Sequence, residues 1–127
     1  MKLASWNVNS NKARLPLVLR WLESAAPDIL MIQELKGTEF PAEAFRAAGY
    51  ESAFVAQKAY NGVATLSRRP LSVICDRLPG EPEDEQARYL ETDISGLRFV
   101  NLYLPNGNPA PGDKFDYKLR WMDRLYA

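Results

Sequence analysis

The sequence predicts an α/β fold, one mixed β-sheet layer with flanking helices. Three observations carry this. Residues 2–33 read strand, helix, strand, the order and length of a βαβ unit. From residue 50 onward the pattern changes to short β segments separated by turn-forming residues. A final stretch beginning near Asp113 returns to helical spacing.

Taken in order, "KLASWN" (2–7) alternates as a strand, with Leu3 and Ser5 set against Ala4 and Trp6. Leu15, Val18, Leu19 and Leu22 then recur at i, i+3, i+4 and i+7, one face of an amphipathic helix, with Pro16 expected in its first turn. "APD" closes that helix and opens the strand "ILMIQ", a parallel neighbour of the first. "FPAEAFRAAGY" (40–50) reads as a short helix stopped by Gly49. Five strand candidates follow, "YESAFVA", "GVATLS", "LSVICDRL", "RYLETDIS" and "LRFVNLYLP", the last two meeting in a tight hairpin at Ser95-Gly96. The last helix is expected to take Asp113 as N-cap and to bury Phe115, Leu119, Met122 and Leu125. A single sheet with helices on one face leaves its other face in need of a cover.

With 127 residues, the chain is sized for one domain, 1–127. Its 46% hydrophobic and 25% charged residues fit a globular protein with a packed core. The apolar runs fall far short of the ~20 residues that span a bilayer, and "MKLASWN" lacks a signal-peptide apolar stretch, so the expectation is a cytoplasmic protein without a membrane partner. Cys75 stands alone, which excludes an intrachain disulfide and a zinc thiolate cluster. There is no histidine. Any chemistry must come from carboxylates, carboxamides, Tyr, Lys or Arg. A formal net charge of zero argues against coating nucleic acid by charge alone.

Polar residues cluster at strand ends. Asn7 and Asn9 follow the first strand, Gln33 and Glu34 the second, and Tyr103 and Asn106 the last. Open α/β sheets collect ligands at the carboxyl ends of their strands. A carboxylate among carboxamides and a phenol is an all-oxygen set suited to Mg²⁺. On the residues alone two readings stand: a metal or phosphate site, or a chain emerging into water at Glu34, with turn-forming asparagines and a rim aromatic at Tyr103.

The blocks "MKLASWNVNSNKARLPLVLRWL", "PDILMIQELK", "FPAEAFRAAGY", "QKAYNGVATLSRRPL", "DEQARYLE" and "LYLPNGNPAPGDKFDYKLRWMDRL" resemble, in order, the N-terminal half of the bacterial exonuclease III family. That family belongs to the endonuclease/exonuclease/phosphatase superfamily and includes Mg²⁺-dependent abasic-site endonucleases and 3′ exonucleases of base excision repair. The resemblance implies half of the four-layer α/β-β/α sandwich of the deoxyribonuclease I-like fold, with this chain as one layer. It also implies Mg²⁺, with Mn²⁺ as the alternative, at Glu34 and Asn7, and places Tyr103, Asn7 and Asn106 at the scissile phosphate of double-stranded DNA. Lys36 is implied to support Glu34 or touch phosphate. Tyr60, Asn61, Gly62 and Arg88 are implied to approach the DNA backbone, although Tyr60 also suits a plain turn and Arg88 an ion pair with Glu85 or Glu91. Asn9 stands where some relatives carry aspartate.

The "GDFN" and "SDH" blocks that complete the family's site do not occur here. The expectation is therefore a chain nearly inactive alone, partnered by the C-terminal half or self-associating through an uncovered sheet face. Two further readings stand beside it, a superfamily phosphatase acting on lipid or sugar phosphates and a non-catalytic self-associating module.

Overall fold

The computed structural model describes residues 1–127. β1 (Leu3–Asn7) and β2 (Ile29–Gln33) pair in parallel, from Leu3 opposite Ile29 to Asn7 opposite Gln33. α1 (Asn11–Ala25) joins them. The Ser10 hydroxyl accepts from the Ala13 N–H at 3.3 Å to cap α1, and Ala26 ends it in the left-handed region just before Pro27. Because the cap lies at Ser10, Pro16 falls in the second turn and not in the first as expected. Pro16 and Lys12 are both exposed, so the carbonyl that loses its helical partner faces water.

α2 (Ala42–Ala47), β3 (Glu51–Val55) and β4 (Val63–Ser67) complete the first sheet, in the order β1-β2-β4-β3. Strand alternation sends Leu30, Ile32, Ala64 and Leu66 to one face, where Val18 and Leu22 of α1 and Phe45 of α2 bury them. β4 is buried along its whole length.

β5 (Leu71–Cys75), β6 (Tyr89–Ile94) and β7 (Leu97–Leu102) do not continue that sheet. They form a second, antiparallel one in the order β5-β6-β7. The expected single layer is therefore corrected to two. The chain bends away at Arg68–Pro70, and Pro70 has no N–H to extend a ladder. The second sheet lies over the face left bare by the helices: Ala53, Val63 and Leu90 pack between the sheets, with Val55, Leu71 and Tyr103 around them. β5 approaches β3, β6 approaches β4, and β7 approaches β2 and β4. β1 projects beyond this overlap with Leu3, Ser5 and Asn7 exposed. The uncovered face expected for the whole sheet is thus confined to β1. The predicted hairpin is present, with Ser95 at φ 55° and Gly96 at φ 82°.

α3 (Asp113–Tyr126) differs from expectation at its cap and on its buried face. Gly112 is the N-cap residue, and Asp113 is the first helical residue, where its charge complements the helix dipole. Phe115, Leu119, Met122 and Leu125 are exposed, and the helix is held through Tyr117, Trp121 and Arg124. Trp121 is 1% exposed. Arg124 donates to the carbonyls of Leu78 and Pro79 and pairs with Asp84 at 2.9 Å, while the Tyr117 hydroxyl donates to Asp84 at 2.7 Å. No helix is long and apolar enough to cross a membrane.

Candidate active site

Parallel pairing brings the carboxyl ends of β1 and β2 to one edge, and backbone bonding continues past both strands. Val8 N–H donates to Gln33 O, Ser10 N–H to Glu34 O and Asn11 N–H to Leu35 O. On the other side, Leu35 N–H donates to Gly62 O and Lys36 N–H to Asn61 O. Gly62 N–H reaches Ala87 O, and Tyr103 N–H reaches Arg88 O. These bonds form a belt that brings Asn7, Glu34, Lys36 and Tyr103 from both sheets to one mouth.

The belt is locally strained. Asn9, Ser10, Glu34, Lys36, Ala59 and Asn61 all have positive φ, which L-residues rarely adopt and which clusters at functional sites. At Glu34 (φ 66°) the kink breaks strand alternation and re-aims the carboxylate toward the second sheet. Leu35 is then buried, and a Cβ on Gly62, itself at φ 95°, would lie 2.9 Å from the Leu35 Cβ. Gly62 is buried with its N–H and carbonyl both bonded, so it acts as a spacer and offers no polar group to a ligand.

At the centre, the Tyr103 hydroxyl donates to Glu34 Oε1 at 2.5 Å. Burial, then the Glu34 carboxylate, push the Tyr103 phenol up to about 12. Lys36 Nζ donates to Asn9 Oδ1 at 2.5 Å and stands 4.0 Å from Glu34 Oε2. Asn7 joins through its Oδ1, which accepts from the Asn9 N–H at 3.1 Å. Arg88 pairs with neither Glu85 nor Glu91. Its guanidinium lies 4.8 Å from the Tyr103 ring centroid and 5.9 Å from that of Tyr117, and donates to the Tyr103 carbonyl and Gln86. Burial lowers its pKa from the ordinary arginine value.

Two of the candidate residues lie apart. Asn106 accepts from Asn108 in a neighbouring cavity of about 440 Å³, lined also by Arg88, Lys114 and Arg120. Tyr60 is 68% exposed at the loop rim, while Asn61 is tied to Gln57 at 2.9 Å. Asn101 was not among the residues expected at the site, and it accepts from Gln33 just beneath the Glu34–Tyr103 pair. Its signal in "LRFVNLYLP" is a carboxamide on the same alternating face as Phe99 and Tyr103.

Two stacked sheets with a carboxylate and a phenol meeting at their strand ends define the class: the model of the endonuclease/exonuclease/phosphatase family matches residues 4–127, and the chain belongs to that family. Among curated proteins it is similar to an exodeoxyribonuclease III of Haemophilus influenzae, 34% identical over an alignment covering 100% of this chain and 49% of that protein. Among solved structures it is similar to a Neisseria 3′ phosphatase bound to product DNA hairpin, 42% identical with TM-score 0.95, covering 98% of this chain and 49% of the other. It is likewise similar to an AP endonuclease from Archaeoglobus fulgidus, 40% identical with TM-score 0.93, covering 99% and 49%. The chain spans about half the length of these relatives, and its two sheets are about half of their deoxyribonuclease I-like fold.

Proposed function

We propose that the chain is the N-terminal portion of a Mg²⁺-dependent DNA repair nuclease, hydrolysing phosphodiesters of duplex DNA as a 3′ exonuclease and abasic-site endonuclease. The observation that carries this reading is the Tyr103–Glu34 hydrogen bond at the mouth shared by the two sheets. Relatives named for exonuclease, 3′ phosphatase and AP endonuclease activity favour DNA over lipid or sugar phosphates.

The donor set fits a hard cation. Glu34, the carboxamide of Asn7 and the phenol of Tyr103 are oxygen donors, and no group of three or more His, Cys, Asp or Glu side chains forms a denser cage. Such sparse protein ligation suits Mg²⁺, which keeps several waters, and Mn²⁺ takes the same donors. When bound, the cation offsets charge developing on the phosphate. In this reading Glu34 and Asn7 hold the metal, Tyr103 turns its single hydroxyl hydrogen from Glu34 to a phosphate oxygen when substrate binds, and Lys36 bridges Asn9 and Glu34. Asn106 and Arg88 face phosphate from the adjoining cavity, and Tyr60 and Asn61 meet the DNA backbone at the rim. Gly62 takes part by letting Leu35 pack beneath Glu34.

The complementary half is proposed to extend the first sheet beyond β1 and the second beyond β7, the two free edges nearest the site. We propose the cytoplasm as the compartment in which the complete protein acts. The test is a fusion of this chain to the remaining half of the Haemophilus relative, assayed on a labelled duplex with one abasic site. Expected are Mg²⁺-dependent incision by the fusion, a loss of about 10²-fold or more on Glu34→Gln, and near-background activity of the chain alone. A folded fusion indifferent to Glu34 refutes the site. Efficient Mg²⁺-dependent incision by the chain alone refutes the two-part assembly.

A further inference from the structure

We propose that Asn101 is a positioning residue, whose buried carboxamide locks the two sheets in the one offset that lets Tyr103 reach Glu34. The proposal rests on the reading of Glu34 and Tyr103 as the site. Its test is made on the resting protein, so its failure leaves the incision result standing.

Asn101 lies on β7 and is 1% exposed. Its Nδ2 crosses the gap between the sheets and donates to the carbonyl of Ala64 at 2.8 Å and to that of Ile32 at 3.2 Å, with the Thr65 hydroxyl at 3.4 Å. Ile32 and Ala64 are register partners, so a single amide grips two adjacent strands of the first sheet at the same level. Its Oδ1 accepts from Gln33 Nε2 at 2.8 Å, and Gln33 Nε2 also reaches the Ser5 hydroxyl of β1 at 3.1 Å. Both ends of the side chain are therefore bonded, directly to two strands of the opposite sheet and through Gln33 to a third.

Location gives this clamp its consequence. Tyr103 follows Asn101 by two residues on the same strand direction, and Glu34 follows Gln33 directly. Each member of the site pair thus stands within about 7 Å of chain from the clamp, at the usual strand rise of ~3.3 Å per residue. The surrounding contacts of Ala53, Val63 and Leu90 are apolar and non-directional, so they hold the sheets together without choosing their offset. Hydrogen bonds do choose it, because a sliding sheet would leave the buried Asn101 amide unpaired. The 2.5 Å reach from Tyr103 to Glu34 tolerates little sliding. An apolar residue at 101 would fill the space and remove the choice.

The test uses the 127-residue chain with tyrosine labelled with carbon-13 at Cζ, whose resonance responds to hydrogen bonding of the phenol. Tyr103→Phe assigns the Tyr103 signal among the six tyrosines, and Glu34→Ala marks the position of the unbonded phenol. In Asn101→Leu the Tyr103 signal is expected to move at least halfway to that position while the other tyrosine signals keep theirs. A folded Asn101→Leu protein with an unmoved Tyr103 signal overturns the proposal. If that variant fails to fold, Gln33→Leu, altered at the half-exposed end of the clamp, carries the same measurement. Movement of Tyr103 then supports the clamp and its absence overturns it.

Discussion

Replacing Tyr103 with Phe removes one hydroxyl and leaves the ring in place against Arg88 and the core between the sheets. A hydrogen bond to an ionised carboxylate contributes about 1.5–3 kcal/mol when well buried. Here the Glu34 side chain is 20% exposed and Tyr103 is only half-buried, so solvent screening reduces the expected loss to about 1 kcal/mol. For a chain of this size that is about 4 °C in Tm. The pH dependence sharpens the test. The folded phenol is raised to about 12 from the ordinary 10.0, so its stabilisation is fully present below pH 10 and is lost as pH rises toward 12. The difference in urea midpoint between wild type and Tyr103→Phe should be flat from pH 7 to about 9 and shrink steadily above 10. Tyr89 and Tyr117 are also pushed up, but they are common to both proteins and cancel in the difference. Equal stability at pH 7, or a gap that persists unchanged to pH 12, would refute the reasoning.

Other expectations follow from single observations. Asn11 is 3% exposed and neither its Oδ1 nor its Nδ2 has a partner, so Asn11→Leu should raise the unfolding free energy by about 1 kcal/mol in urea titrations. Gly62→Ala should cost about 2 kcal/mol, because the added Cβ meets Leu35 at 2.9 Å in a backbone conformation that alanine resists, and a neutral result by calorimetry would contradict this close approach. At Asp84 burial alone raises the carboxyl, but hydrogen bonds from Arg124 and Tyr117 outweigh it and hold the pKa below 3.8. The stabilisation is therefore present above that value and disappears as pH falls through the lowered pKa. Asp84→Asn should destabilise by about 2–3 kcal/mol at neutral pH, and calorimetry should find the gap to wild type closing under strong acid.

Which parts of this structure were legible in the sequence follows from how local their causes are. The βαβ unit and the Ser95-Gly96 hairpin rest on periodicity and turn chemistry within a few residues, and both are present. The division into two sheets depends on where the chain goes after Arg68–Pro70, which no local pattern specifies. α3 carries two stripes at helical spacing. Counting apolar residues selects Phe115, Leu119, Met122 and Leu125, whereas the face turned inward carries buried Trp121 with half-buried Tyr117 and Arg124, because Asp84 and the carbonyls of Leu78 and Pro79 give the two polar members partners. The polar strand ends at Asn7, Glu34 and Tyr103 are legible in the sequence, and the structure brings them to one edge. The pairing of Glu34 with Tyr103 depends on a bond spanning 69 residues of sequence, and the bonds of Asn101 reach residues 37 and 69 positions away, beyond any local pattern.

The division of strands also changes what the proposed complementary half must do. Had this chain been one layer of the sandwich, the seam between layers would form only on association, and Glu34 would await an opposing surface. Instead β2 and β7 belong to different sheets of the same chain, so the seam already exists and Tyr103 already meets Glu34 across it. The cost of aligning these two side chains, with the strained backbone at Glu34 and Lys36, is therefore met during folding of this chain and not at association. A complement that only lengthens both sheets past β1 and β7 would bring its own polar groups to a mouth where Glu34 and Tyr103 are already paired. Association would then change the reaction rate through added groups while leaving the Tyr103–Glu34 geometry unchanged. The carbon-13 signal of Tyr103 in the fusion should accordingly keep the position it has in the isolated chain.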